Sequence, residues 1–153
     1  MNYFEIFDIP VSYGIDEQKI TDVYLKKQQI LHPDLWGEQN NSDVSMLNEA
    51  YYVLRNPILR AGYFLKLKGI DPDAIVSSES AQEILLLREQ YESIDSEIEI
   101  EDFSKYLRER MGNLIDSLYK LENNLAEFNK KFTLLRFIKL FLDRIVPDAY
   151  CGD

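Results

Sequence analysis

The chain has 153 residues, of which 46% are hydrophobic and 29% charged, an ordinary globular composition that excludes a disordered or fibrous chain and allows one domain or two small ones. Asp and Glu outnumber Lys and Arg by 27 to 17, and a formal charge of −10 argues against nucleic acid as a partner, because phosphate contacts need clustered cations. One Cys and one His exclude an internal disulfide and fall short of the three or four ligands of a zinc or iron–sulfur site, so no cofactor or metal is expected. The acidity is local. Residues 79 to 102 hold nine acidic side chains and one basic one, Arg88, which accounts for eight of the ten net negative charges.

Met1 to Asp8 is acidic and too short in apolar run for a signal peptide, and it lacks the bias of a transit sequence. The most apolar stretch, Leu134 to Val146, is interrupted by Arg136, Lys139, Asp143 and Arg144, so no membrane span is expected. These features point to a soluble, cytoplasmic protein of a reducing compartment.

The elements follow from the few breakers. Tyr3 to Phe7 forms a short aromatic helix that ends near Pro10 and Gly14. Asp16 offers an N-cap, and Ile20, Val23, Tyr24 and Leu31 fall at helical spacing, which predicts a second helix over about 16 to 31. It stops at His32-Pro33, since proline pushes the preceding residue out of the helical region. Trp36 to Asn41 reads as a loop, and Ser42 or Asp43 caps a third helix through Met46, Leu47, Ala50, Tyr51 and Leu54. A fourth helix follows Asn56-Pro57 and is closed by Gly69. Asp71 to Ser78 is the best linker candidate.

Beyond it lie three amphipathic segments, about 78 to 95, 101 to 121 and 125 to 146, the last ended by Pro147. In the first, Ile84, Leu87, Tyr91, Ile94 and Ile98 step by three and four and define a core stripe. An advance of about 100° per residue then places Gln82, Leu85 and Glu89 on the opposite face, with Leu86 to one side. In the second, Phe103, Leu107, Met111, Leu114, Leu118 and Leu121 form one buried stripe. No segment alternates with period two. The expected architecture is all-α, with units at 1–70 and 78–153 joined by a linker at 71–77.

His32-Pro33-Asp34 falls at the turn of a predicted helical hairpin, after a helix that carries Lys19, Lys26 and Lys27. Proline stiffens the turn, so an imidazole and a carboxylate held there have little freedom left to lose on binding, and the Asp can accept charge-assisted hydrogen bonds from a cationic partner. Spacing alone leaves open the plainer reading in which Asp34 caps the loop and His32 is a surface side chain.

The order of these features resembles a J domain, and most closely that of the HscB family of iron–sulfur co-chaperones, called Jac-type in eukaryotes. The match is carried by Tyr3-Phe4 with Phe7, by Tyr24, Lys26 and His32-Pro33-Asp34, and by Asn48-Glu49-Ala50-Tyr51. Leu54-Arg55-Asn56-Pro57, Arg60-Ala61, Tyr63 with Leu65, and Leu87-Arg88-Glu89 extend it through both halves. The resemblance implies an N-terminal J domain and a C-terminal three-helix client-binding bundle, without enzymatic activity. It implies stimulation of the ATPase of a DnaK/HscA-type chaperone through His32, Pro33 and Asp34, with Lys26 and Lys27 as supporting cations, and binding of an IscU-type scaffold by the bundle. Leu35 stands where J domains commonly carry a cation, and Asp16, Glu17 and Asp22 thin the basic face of the second helix, which favours a specialised chaperone.

The family's scaffold-binding positions carry over to Ala81, Gln82, Leu85, Leu86, Glu89, Ser93 and Phe137. Ala81 and Gln82 replace large apolar residues and Leu86 replaces an acid, so the apolar weight has moved one turn along. Two rivals remain at this level: a J-domain protein with another client, or a helical interaction module unconnected with chaperones. A thiol enzyme built on Cys151 and His32 is disfavoured, because Cys151 falls in a tail after Pro147 and no third orienting group is apparent beyond Asp34.

Overall fold

The computed structural model describes residues 1–31, 41–74 and 77–146. These are helical and contain no strand, and they divide into two units, Met1–Lys68 and Gly69–Asp153.

The first unit holds α1 (Tyr3–Ile6), α2 (Glu17–Ile30), α3 (Asn41–Arg55) and α4 (Pro57–Leu67). Three of these starts have a visible local cause. Asn2 accepts from the Glu5 amide at 2.9 Å while the Glu5 carboxylate accepts from the Asn2 amide at 2.9 Å, a reciprocal cap on a helix of a single turn. Asp16 accepts from the amides of Gln18 and Lys19 to open α2. Asn56 does the same for Ile58 and Leu59, with Pro57 at the first helical position, where its missing N–H costs nothing. α4 ends ahead of Gly69, whose φ of 79° is the left-handed conformation glycine adopts freely. α3 begins earlier than expected, at Asn41, so Ser42 and Asp43 lie within its first turn and do not precede it.

α2 and α3 run antiparallel, as the pairs Thr21 with Tyr51 and Tyr24 with Asn48 require. Their facing sides bury Ile20, Leu47, Ala50 and Leu54 against Phe4 and Phe7 of the N-terminal turn. Tyr24 and Tyr51 stack across the seam with ring centroids 4.0 Å apart. At the base, Arg60 is fully buried: its guanidinium lies 4.8 Å from the Tyr13 ring and donates to the Leu54 carbonyl at 2.7 Å. Tyr63 stacks on Tyr3 at 4.4 Å, and its hydroxyl accepts from the Tyr3 amide at 3.0 Å, which fastens α1 to α4.

The second unit holds α5 (Ser78–Glu92), α6 (Glu97–Lys120) and α7 (Leu125–Ile145). Leu107, Leu114 and Leu118 of α6 pack with Phe128, Leu135, Ile138 and Leu142 of α7, and Leu87 of α5 completes the core. The stretch before α5 is held by two features: Pro72 is buried, and Asp73 accepts from Arg136. Ile98 departs from expectation. It is not on the stripe of α5 but in the first turn of α6, and 73% of it is exposed. The cause is Ser96, whose hydroxyl accepts from the Glu99 amide at 3.2 Å and starts a new helix four residues earlier than the apolar period suggests. Glu97 and Glu99 in that turn add favourable charge at the positive end of the helix dipole.

Candidate functional site: two partner-facing surfaces

The first candidate surface is the hairpin formed by α2 and α3. His32, Pro33 and Asp34 lie outside the described residues, as does Cys151; the structure describes what flanks the tripeptide in sequence, α2 before it and α3 after it. The two lysines named with it differ. Lys26 is exposed. Lys27 is half-buried, donates to the Ile6 carbonyl at the end of α1 and lies 3.5 Å from Asp8, so its charge is engaged in fastening α1 to α2. Sequence spacing could not separate these adjacent cations, because their difference depends on which one faces α1.

The second surface is the outward side of α5. Leu85 and Leu86 are 56% and 58% exposed, and Ala81, Gln82, Glu89 and Ser93 are exposed around them. The inward side carries Leu87 with half-buried Ile84, Tyr91 and Ile94, as the helical period requires. Ser77 opens the helix by accepting from the Ser80 amide, and Ser93 closes it, its amide donating to Glu89 and its hydroxyl to the Gln90 carbonyl. Ser93 is therefore spent partly on its own helix end.

Phe137 reaches this side from α7. It is half-buried, stacks on Phe141 at 5.6 Å, and has the Arg88 guanidinium 5.5 Å from its ring centroid. Arg88 follows Leu85 by three residues, so one turn of α5 brings an exposed leucine and a ring-covering cation to the same flank. This role of Arg88 is absent from the sequence-derived site. The available signal was its isolation, as the single cation in an acidic run.

Glu83 pairs with Arg110 at 2.8 Å and joins α5 to α6. Lys130, hydrogen-bonded to Glu127 and facing Glu79, is held above the ordinary ammonium value. In the first unit, burial and then the hydrogen bond to Glu49 push the Tyr3 phenol up. Among the described residues no cluster of three or more His, Cys, Asp or Glu is placed to hold a metal, and no helix is long and apolar enough to cross a membrane. What α5 and α7 present together is a set of exposed apolar side chains, Leu85, Leu86 and Leu140, with the charged side chains Arg88, Glu89 and Glu92 around them.

No family model matches the sequence. The chain is 30% identical over 135 residues to the co-chaperone protein HscB of Proteus mirabilis, with 78% of each chain covered. To the co-chaperone HscB homolog of Acinetobacter baylyi it is 29% identical over 153 residues, 97% of this chain and 88% of the relative. The crystal structure of human co-chaperone protein HscB superposes with a TM-score of 0.80 at 21% identity, covering 98% of this chain and 83% of that one, so the fold is the same through both units. With a relative at this identity aligned over more than two thirds of both chains, and with the fold in agreement, the chain belongs to the HscB family of co-chaperones.

Proposed function

We propose that this co-chaperone joins a specialised ATPase chaperone of the DnaK/HscA type to an IscU-type iron–sulfur scaffold protein in the cytoplasm, and that it performs no chemistry of its own. In this reading His32, Pro33 and Asp34 stimulate ATP hydrolysis by the chaperone, with Lys26 as a supporting cation. Lys27, bound to the Ile6 carbonyl and Asp8, acts by holding α1 in place. The scaffold docks on Leu85, Leu86 and Phe137, with Glu89, Gln82, Ala81 and Ser93 at the rim.

The observation that supports this most is the pair Leu85 and Leu86, two leucines exposed side by side on the one helix whose surroundings carry most of the protein's net negative charge. Solvent-facing leucines of this kind are unremarkable singly. Two together, with Phe137 on the neighbouring helix, form the apolar centre that a docking surface needs. The experiment is co-precipitation of the purified chain with an IscU-type scaffold and, separately, with an HscA-type chaperone. Capture of both supports the proposal; capture of the chaperone without the scaffold would make this a J-domain protein with another client.

A further inference from the structure

Helices α5 and α7 run parallel, since Arg88 lies over Phe137 and, one turn later on both, Tyr91 meets Phe141 edge-on at 5.1 Å. On α7, Thr133, Phe137, Leu140 and Arg144 step by four, three and four and therefore share one stripe. The opposite side of the helix is the buried one, with Phe128, Leu135, Ile138 and Leu142. Thr133 turns its hydroxyl back to the Asn129 carbonyl at 2.9 Å, so its donor is used within the helix. Leu140 follows Phe137 by one turn and is 55% exposed. The parallel register sets Glu89 and Glu92 of α5 level with it, and Arg144 closes the stripe one turn beyond.

We infer that Leu140 is a further docking and specificity-determining residue, so that the client surface continues from Leu85 through Phe137 down the outer side of α7. The inference rests on the reading that this face binds a scaffold protein. The occupant is a surface of that scaffold, and the rim states its chemistry. An apolar side chain meets Leu140, a basic group meets Glu89 and Glu92 on the α5 side, and an acidic group meets Arg144 one turn beyond along α7. The acids of α5 and the cation of α7 thus fix the direction in which the partner lies, because reversing it would set like charges against each other. This accounts for the displaced apolar weight of the surface: with Ala81 and Gln82 small or polar at the start of α5, Leu140 supplies area at the other end.

The test is calorimetric titration of the intact chain with a cluster-free IscU-type scaffold, comparing Leu140→Ala, Arg144→Glu, Leu85→Ala and, as an exposed apolar control on α6, Ile98→Ala. The expected result is binding weakened about fivefold by Leu140→Ala and by Arg144→Glu, with Ile98→Ala unchanged and helicity equal in all four. Stimulation of the chaperone ATPase without scaffold stays as in the unaltered protein for Leu140→Ala. If Leu85→Ala weakens binding and Leu140→Ala does not, the inference is overturned and the scaffold-docking reading stands. If Leu140→Ala and Ile98→Ala weaken it equally, the loss is one of general apolarity and the inference fails. Should none of the variants change the affinity, the docking reading itself falls and Leu140 with it.

Discussion

Replacing Arg60 with alanine tests what holds the first unit together at its base. The guanidinium is fully buried, donates to the Leu54 carbonyl at 2.7 Å and covers the Tyr13 ring at 4.8 Å. A hydrogen bond from a charged donor contributes about 1.5–3 kcal/mol, and a desolvated cation–π contact about 2 kcal/mol. Glu17, 3.8 Å away but with a side chain 59% exposed, adds little, since pairs so open to water are worth less than about 1 kcal/mol. The terms overlap, so Arg60→Ala should cost about 4 kcal/mol, against a total of about 3–10 kcal/mol for a unit of this size. Arg60→Lys should recover less than half, because an ammonium cannot both reach the carbonyl and lie flat on the ring. Glu17→Gln should cost under about 0.5 kcal/mol, as an exposed pair predicts. The assay is amide hydrogen exchange in rising urea, read at the amides of α1 to α4 so that the first unit is followed separately from the second. If Arg60→Ala lost less than about 1 kcal/mol while Glu17→Gln lost as much, the buried contacts would not be what stabilises the base, and the reasoning would fail.

Tyr3 carries a pH prediction. Burial and the Glu49 hydrogen bond raise its phenol above 10.0, so the folded state keeps the proton that the unfolded state releases first. The stability this gives is complete below pH 10.0 and is lost as pH rises through the folded value, and Tyr3→Phe should flatten alkaline unfolding of the first unit. Ser104 is 2% exposed and its hydroxyl has no hydrogen-bond partner among the described residues, so Ser104→Ala should leave thermal stability unchanged or raise it by about 1 kcal/mol in calorimetry. Ser96→Ala should cost the second unit about 1 kcal/mol in denaturant titration by removing the cap on Glu99. Rising ionic strength should slow association with the scaffold if the acids around α5 steer a basic partner, and leave it unchanged if they only solvate the helix.

Much of the second unit was legible because helical period is a one-dimensional property. Leu85 and Leu86 face outward, and Leu107, Leu114 and Leu118 inward, as angular arithmetic on the sequence requires. Period alone ran Ile98 onto the wrong helix, since it carries no information about a serine hydroxyl that turns back to cap an amide. Arg88 over Phe137 was beyond reach for a different reason: it depends on the register between two helices 49 residues apart at that point, which no local pattern encodes. Lys26 and Lys27 make the same point in the first unit, where neighbours in sequence divide between solvent and the end of α1. The tripeptide was the reverse case. Its chemistry is read from His32, Pro33 and Asp34 in the sequence, and the described structure adds the hairpin on either side.

The most direct test of the account measures the rate of ATP hydrolysis by an HscA-type chaperone with the unaltered chain and with His32→Gln. Acceleration by the unaltered chain and none by the variant is the expected result, with helicity and scaffold affinity the same in both, because the proposed function assigns the tripeptide and the α5 surface to different partners. Equal stimulation by His32→Gln would contradict it, and would remove His32 from the role the account gives it.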